Sequence, residues 1–286
     1  MRFERYDTTE AFSNDVLEIL LENEAQNNIP ISIANSKSGD TSQWLLGSVK
    51  ETNGNVVLIA AYTPPFNIVL FETGNRPNPE AVKLLSAELK SMGLVLPGVS
   101  AEQGLSQRFA ESYAGSDGYY LHLSMNVMRL DKLNAIQKAP GSCRLLREDD
   151  LFYVPYWESA FGQEAQILTF DFPTIVKNLK ESLDKENYFI WEDGHPVSQA
   201  VHARKTQNGA VVNHVFTPPH YRGKGYASSL VAELSRVLLE RGNKFCCLFA
   251  DANNPVSCGI YRKIGYYDVC NLSEIKFKDL SLALDA

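Results

Sequence analysis

Apolar and polar positions recur with two different periods along the chain, and these periods predict its helices and strands. Apolar residues at three- and four-residue steps within 12–25 predict a helix with Thr8 as its N-cap. Two apolar runs, 44–49 and 56–62, flank Asn53-Gly54 and predict a hairpin. The same reasoning predicts a loop at 27–40, a strand at 67–72, helices at 78–93 and 102–114, and a long strand at 119–130.

A second set of elements follows a stretch of little pattern at 134–142, where Pro140-Gly141 predicts a domain boundary. The predicted elements are a strand at 144–146, a helix carrying Phe152, Trp157 and Phe161, a helix at 173–183, a hairpin of 188–192 and 197–205, a strand from Val211, a helix from Tyr226, a strand at 244–251, a segment at 254–266, and a final pair of strands at 267–271 and 274–277. We therefore expect an N-terminal α/β domain at 1–133, a linker at 134–142 and a second domain at 143–286.

One stretch of the second part combines a strand, a glycine-containing turn and the start of a helix. The strand at 211–216 ends before Pro218-Pro219, because proline cannot donate to a sheet. Gly223 and Gly225 leave room for backbone amides to face outward. The helix begins at Tyr226, and its first N–H groups have no intrahelical partner. A phosphate is the natural ligand of such a helix N-terminus.

The turn contains Arg222-x-x-Gly225-x-Ala227, which resembles the Arg/Gln-x-x-Gly-x-Gly/Ala pyrophosphate loop of the GNAT superfamily of N-acetyltransferases. It has neither the Gly-Lys-Ser/Thr ending of a P-loop nor the three-glycine dinucleotide fingerprint. About 30 residues on, 254–266 resembles the family's Asn-x-x-Ala-x-x-Leu-Tyr-x-x-x-Gly-Phe segment. Three positions differ conservatively from it: Ser257, Ile260 and Tyr266. The resemblance implies the α/β (α+β) GNAT fold, a mixed, mostly antiparallel sheet flanked by helices, for roughly 143–278.

The resemblance also implies a reaction, the direct transfer of an acetyl group from acetyl-CoA to a primary amine of a small molecule or peptide. Tyr261 then lies beside the thioester sulfur, where a phenol can act as general acid. Asn254 contacts the pantetheine arm. The residues expected to bind acetyl-CoA are Val215, Phe216, Thr217, Arg222, Gly223, Lys224, Gly225, Tyr226, Ala227, Ser228, Asn254 and Tyr261.

The general base is less well determined by the sequence. His214 lies on the strand before the loop, and an imidazole is a reasonable proton acceptor near neutral pH. A strand histidine is also often structural, and His202, Asp251 and Glu192 are weaker candidates. The aromatic residues at 152–161 either line the acceptor pocket or belong to the core.

Composition narrows the function further. The formal net charge of −7 with no basic run argues against a nucleic-acid binder or an anionic-membrane binder. No run of 18 apolar residues and no N-terminal hydrophobic segment is present, so we expect a cytoplasmic protein. The five cysteines have no zinc-type spacing, so we expect reduced thiols and no metal. The acyl chain length and a homodimer are left open.

Two questions stay open at the level of sequence. Residues 53–65 echo 208–219, either because the first half is a degenerate GNAT-like domain or because two ordinary hairpins coincide. In either case we expect the first half to bind no CoA and to shape the acceptor side. The alternative to an enzyme is a GNAT-fold acyl-CoA-binding or regulatory protein without turnover.

Overall fold

The computed structural model describes residues 1–37, 40–74 and 76–278. Its contacts divide the chain into two compact units, one of Met1–Val127 with the C-terminal stretch from Val269, the other of Met128–Asp268. The predicted domains, 1–133 and 143–286, follow the chain in order, whereas these units do not. The domain boundary stays a prediction.

The first unit is a sheet with helices on both faces. Its strands are β1 (Arg2–Tyr6), β2 (Leu45–Lys50), β3 (Val56–Tyr62), β4 (Ile68–Glu72), β5 (Gly98–Glu102) and the C-terminal part of β12 (Tyr267–Phe277), and its helices are α1 (Thr9–Leu21), α2 (Asn28–Ala34), α3 (Pro79–Ser91) and α4 (Gln103–Ala114). The strands lie in the order β1-β2-β3-β4-β5-β12. Only β4 and β5 are parallel among the pairs described here.

The second unit is built in a similar way. Its strands are β7 (Ser142–Leu145), β8 (Tyr188–Glu192), β9 (Pro196–Lys205), β10 (Gly209–Phe216) and β11 (Phe245–Asp251), and its helices are α5 (Val154–Glu164), α6 (Phe172–Lys185), α7 (Tyr226–Glu240) and α8 (Pro255–Ile264); β6 (Tyr119–Leu130) begins in the first unit and ends in the second. The strands run β11-β10-β9-β8-β7. Strands β10 and β11 are parallel, and the other neighbours are antiparallel.

Two cores lie on the two faces of the second sheet. On one face, α7 and α8 bury Leu230, Leu234 and Ile264 against strand residues such as Leu248. On the other face, α5 and α6 bury a smaller set that includes Val154, Ile175, Leu179 and Ile190. The site described below involves both faces, because the loop before α7 and Tyr261 of α8 belong to the first, whereas His214 of β10 lies beside α5.

The sequence interpretation is wrong at four places. The loop predicted at 27–40 contains α2, because Ile31 and Ala34 are buried in a core with α1. Strands β1 and β5 were not predicted, since each contains only two apolar residues among five and is held by its partner strand. The last two predicted strands are one, β12, whose residues Leu272–Lys276 pair continuously with β5.

The predicted fold class is confirmed as an α/β fold with a mixed, mostly antiparallel sheet. The similar stretches 53–65 and 208–219, however, do not contain equivalent strands. Strand β3 is followed by the antiparallel strand β4, whereas β10 leads directly into α7. By order and pairing, β4 corresponds to β10, because each precedes a helix and lies parallel to the next strand.

Candidate functional site

Strands β10 and β11 pair at one end and separate at the other. Three successive pairs, from Gly209–Phe245 to Val211–Cys247, set their parallel register. Beyond them β10 continues to Phe216 and β11 to Asp251. Register shifts in β10 against β9 accompany the separation. Where the two strands separate, their backbone N–H and C=O groups no longer pair with each other. These groups can then bind an extended ligand.

A turn connects β10 to α7. After Pro218-Pro219, a short 3₁₀ helix at Pro219–Tyr221 leads into the Arg222–Gly225 segment. Gly223 and Gly225 have φ values of +77° and +82°, a region that favours glycine. A Cβ added at Gly223 would meet no atom within 4 Å, so the turn is open on that side. The predicted glycine turn is present, with the conformation that requires glycine.

The N-terminus of α7 has the features of an anion site. Gly225 is its N-cap, so no side chain caps the first turn, and no acidic residue lies in that turn. The positive end of the helix dipole is therefore neither capped nor neutralised from within the helix. Of the predicted loop residues, Ala227 and Ser228 lie half-buried in this first turn, and Lys224 is exposed just before it.

Arg222 is held by two groups. Its Nε donates to the carbonyl oxygen of Thr217 at 2.8 Å, and its Nη2 donates to both carboxylate oxygens of Glu164 at 2.9 and 2.7 Å. The guanidinium also lies 5.6 Å from the ring centre of Phe216. The cation predicted to bind pyrophosphate is thus paired with a carboxylate of α5 in this structure.

The remaining residues of the loop are anchored in the second unit. Tyr226 donates a hydrogen bond from its phenol to Asp193 at 2.6 Å. Thr217 and Ser198 share a hydrogen bond of 2.8 Å between their hydroxyls, and Ser198 also donates to the carbonyl oxygen of Phe216. Val215 packs on the core beneath α7. These contacts fix the end of β10 from which the loop departs.

The second motif lies at the N-terminus and along α8. Asn254 is the N-cap, and its side-chain oxygen accepts from the backbone N–H of Ser257 at 3.0 Å. Tyr261 is 7% exposed and meets Tyr266 edge-on with ring centres 5.9 Å apart. Burial raises the pKa of Tyr261, and a hydrogen bond with the Ser257 side chain acts in the opposite direction. The phenol is therefore protonated at neutral pH, as a general acid must be.

His214 occupies a bulge in β10. Between Asn213 and Phe216 the register against β9 shifts, and His214 has a φ of +52°, which is rare for a residue other than glycine. The side-chain oxygen of Asn213 accepts from the backbone N–H of His214 at 2.8 Å. The bulge changes the direction of the side chain, which a strict alternation along the strand could not predict.

Glu158, which sequence reasoning missed, joins His214. Its Oε2 lies 2.6 Å from Nδ1 of His214, while its Oε1 accepts from the phenol of Tyr188 at 2.7 Å and from Nε2 of Gln199 at 2.6 Å. The four side chains come from α5, β8, β9 and β10. In the sequence, the one signal for Glu158 was its position in a predicted helix rich in aromatic residues, three residues before Phe161. The ring of Phe161 packs 5.0 Å from the imidazole.

The weaker base candidates have other roles. Burial lowers the pKa of His202, whose Nε2 is buried without a partner in the part of the chain that the structure describes. Glu192 binds Arg144 and lies 3.8 Å from Arg147. Asp251 accepts from the backbone N–H of Asn253 at 2.9 Å and so shapes the turn before α8. The contacts of these three residues do not bring them to His214.

The aromatic residues of 152–161 divide between surface and core. Phe152 is 83% exposed and Tyr156 is 63% exposed, so neither belongs to the core. Tyr153 and Trp157 are partly buried and pack against the core beneath α5. The exposed Tyr156 meets Phe172 with ring centres 5.1 Å apart. The rings of Tyr156, in the first turn of α5, and of Phe172, the first residue of α6, form an exposed apolar surface.

The described residues contain neither a membrane-spanning helix nor a cluster suited to a metal ion. Within 1–37, 40–74 and 76–278, no helix is long and apolar enough to cross a membrane. No group of three or more histidine, cysteine, aspartate or glutamate side chains in the same ranges could hold a metal ion. None of the five cysteines, all of which lie in the described residues, forms a disulfide, and three of them are buried.

Comparison with known proteins bears on the family and the fold of the chain. The sequence model of the FR47-like protein family matches residues 194–273, a span that contains His214, the loop and Tyr261 but not Glu158. Among curated proteins, none matches the sequence significantly.

Solved structures match nearly the whole chain. A GCN5-related N-acetyltransferase from Sphaerobacter thermophilus is 16% identical, with 98% of each chain covered and a TM-score of 0.65. An acetyltransferase from the GNAT family from Colwellia psychrerythraea is 12% identical, with 97% of this chain and 100% of that chain covered and a TM-score of 0.60. A tandem GNAT protein from the clavulanic acid biosynthesis pathway is 11% identical, with coverage of 97% and 98% and a TM-score of 0.58. At these identities the similarity establishes the fold. The chain therefore has the GNAT fold, and its residues 194–273 match the FR47-like family.

Proposed function

We propose that the protein is an N-acetyltransferase that moves an acetyl group from acetyl-CoA directly to a primary amine of a small molecule or peptide. The observation that carries this proposal is the N-terminus of α7. It has a glycine cap, no acidic residue in its first turn, and an arginine and a lysine in the preceding loop. Such a site fits a pyrophosphate, and it follows a strand that diverges from its parallel neighbour.

The residues that would hold acetyl-CoA fit its parts. The pyrophosphate would lie against the backbone N–H groups from Gly223 to Ser228, with charge supplied by Arg222 and Lys224. The extended arm would lie along Val215, Phe216 and Thr217, at the end of β10, with Asn254 nearby. When bound, acetyl-CoA supplies the activated acyl group. The acyl chain length beyond acetyl is not fixed by these residues.

Two residues would move protons. The acceptor amine must lose a proton to become a nucleophile, and Nε2 of His214 is the atom proposed to take it. Tyr261 keeps its phenolic proton at neutral pH, because burial raises its pKa. That proton is available to the leaving thiolate, so Tyr261 is the proposed general acid. Neither step requires a metal or a covalent enzyme intermediate.

One observation favours a second function, an acyl-CoA-binding regulatory protein without turnover. Arg222 is bound to Glu164 at the end of α5, so a pyrophosphate that binds Arg222 competes with that carboxylate. Binding would then be coupled to the end of α5. A sensor needs such a coupling, whereas an enzyme needs in addition the acid and base.

The first experiment is a calorimetric titration of the protein with acetyl-CoA. We expect binding by the wild type and none by the Arg222→Glu/Gly225→Asp double variant, which places two carboxylates where phosphates should lie. No binding by the folded wild type would remove both functions. With binding established, free-thiol release in the presence of a panel of amines separates the enzyme from the sensor.

Tyr261→Phe tests the general acid. This variant should bind acetyl-CoA like the wild type and lose about 10²-fold in transfer rate, since general acid catalysis contributes about this much. An unchanged rate would remove Tyr261 from the mechanism. Loss of binding and rate together would mean instead that the phenol is needed for the packing of α8.

The first unit and the location complete the proposal. We propose that the first unit binds no CoA, because the helix that follows β4 has a side-chain cap and an acidic first turn. That the first unit shapes the acceptor side stays a prediction from the sequence. A cytoplasmic location is supported by the five cysteines, none of which forms a disulfide, because reduced thiols persist in reducing compartments. A homodimer remains a proposal that analytical ultracentrifugation would test.

A further inference from the structure

We infer that Glu158 is the positioning residue for His214: it holds the proton of the imidazole on Nδ1 and so leaves Nε2 free to accept a proton from the amine. The inference rests on the proposed acyltransferase function and goes beyond it. Glu158 lies in neither sequence motif and outside the span matched by the FR47-like family.

The hydrogen bonds around Glu158 determine where the protons lie. The amide N–H of Gln199 and the phenol of Tyr188 both donate to Oε1, at 2.6 and 2.7 Å. A carboxylate is an acceptor only, so its Oε2, 2.6 Å from Nδ1 of His214, accepts the Nδ1–H. In a neutral imidazole the other nitrogen then carries the lone pair.

The imidazole is also fixed by its surroundings. The backbone at His214 has a φ of +52° within the bulge and is held by the side chain of Asn213. The ring of Phe161 packs 5.0 Å from the imidazole at an interplanar angle of 32°. Glu158 and Phe161 lie one turn apart on α5, so one helix sets both the tautomer and the orientation of the ring.

The composition of the cluster argues for a functional role rather than a structural one. Tyr188 is 2% exposed and Gln199 is fully buried, and both lie beside an apolar core. The side-chain oxygen of Gln199 is buried and has no partner among the described residues. An incompletely satisfied polar cluster is less stable than apolar packing of the same volume. A role in orienting His214 accounts for the presence of this polar cluster beneath the bulge.

Glu158→Gln is the test, because it keeps the shape and changes the tautomer. Tyr188 and Gln199 still donate to the oxygen at the Oε1 position, so the new amide N–H₂ faces His214 and donates to Nδ1. The proton of the imidazole must then move to Nε2. We expect kcat to fall by about 10²-fold or more, while the KM for acetyl-CoA stays unchanged. Glu181→Gln, the same change on the exposed surface of α6, is the matched control and should keep the wild-type rate.

A readout other than activity separates positioning from packing. Long-range ¹H–¹⁵N correlation spectra of the imidazole, assigned with His214→Gln, should show the proton on Nδ1 in the wild type and on Nε2 in Glu158→Gln. Glu158→Asp keeps a carboxylate, so it should keep the Nδ1–H form and recover part of kcat. Retention of the Nδ1–H form and of the wild-type kcat in Glu158→Gln would overturn the inference.

The same experiments distinguish failure of this inference from failure of the proposed function. If the wild type releases no thiol with any amine, the acyltransferase function fails, and the spectra alone decide whether Glu158 sets the tautomer. If the wild type is active and Glu158→Gln loses both its fold and its activity, Glu158→Asp decides. A folded Glu158→Asp with the Nε2–H form would overturn the inference.

Discussion

Helices α3 and α7 have the same place in the order of elements of the two units, but their N-termini differ in capping and in charge. Each follows a strand that lies parallel to the next strand, β4 with β5 and β10 with β11. At α3 the side chain of Asn78 accepts from the backbone N–H of Ala81, and Glu80 lies in the first turn. At α7 the cap is Gly225, with neither feature.

The loop before α3 is also satisfied from within the first unit. The carboxylate of Glu72 accepts from the backbone N–H of Asn78 at 2.7 Å, and Arg108 binds the same carboxylate at 2.6 Å. A phosphate at this helix would meet two carboxylates and a capped turn. The comparison shows that a strand and a helix in the right order do not make an anion site. The anion site proposed at α7 depends in addition on the missing side-chain cap and the missing acidic residues of its first turn.

The largest expected effect comes from giving α7 the acidic first turn of α3. Ala227 stands two residues after the cap of α7, as Glu80 does after the cap of α3. Ala227→Glu should raise the Kd for acetyl-CoA by about 100-fold or more, because a carboxylate beside a phosphate costs several kcal/mol. Ala227→Gln, of equal size and no charge, is the control. Equal calorimetric affinities of the two variants would contradict the proposed loop.

The reverse change removes the cap of α3. Asn78→Ala should lower the free energy of unfolding by about 1 kcal/mol, since it removes an N-cap. Urea unfolding measures this loss. We expect the chain still to bind one acetyl-CoA with unchanged Kd, because Glu72 and Glu80 remain. A second bound molecule would show that the cap alone distinguishes the two helices.

Ion pairs on the surface of α7 contribute to its stability. Glu233 of α7 binds Lys138 at 2.8 Å and also Arg236. Arg236 and Lys138 lower the pKa of Glu233 to about 2, from 4.5. A lowered pKa stabilises the fold above the unfolded-state pKa, and this contribution is lost as the pH falls toward the folded-state value.

Glu233→Gln should therefore be less stable than the wild type at neutral pH by about 1 kcal/mol or less, since the partners are solvent-exposed and screened. The difference should shrink as the pH falls from about 4.5 to about 2. Urea unfolding across this range measures both. A difference that stays constant down to pH 2 would mean that packing, not charge, is lost in the variant.

The smallest expected effect concerns the carboxylate that competes for Arg222. Glu164→Gln should lower the Kd for acetyl-CoA by about two- to fivefold, because an exposed ion pair contributes about 1 kcal/mol or less. The improvement should diminish with added salt. A higher Kd would show that Glu164 supports the loop rather than competing with the ligand.

The sequence predicted those parts of the fold and site that depend on local pattern. The loop before α7 was recognisable from Gly223 and Gly225, because a turn with positive φ requires glycine. The helix was predicted by the spacing of Leu230, Leu234 and Leu238, all fully buried. Both signals lie within a few residues of the element that they describe.

The parts that were missed depend on partners distant in sequence. Strand β1 exists because Arg2–Tyr6 pairs with β2, which begins about 40 residues later. Glu158 is joined to His214 across 56 residues, and its partners come from three strands. No spacing rule relates such residues. Their proximity follows from tertiary packing, which a single sequence does not display.

The bulge at His214 has a consequence for protein engineering. A left-handed backbone conformation at a residue other than glycine costs roughly 1 kcal/mol or more. The contacts of the imidazole with Glu158 and Phe161 oppose this cost, because a substitution to glycine would leave the Glu158 carboxylate without its donor. A designer who relieves the backbone at position 214 must therefore replace Glu158 as well, and so gives up the proposed proton acceptor together with its partner.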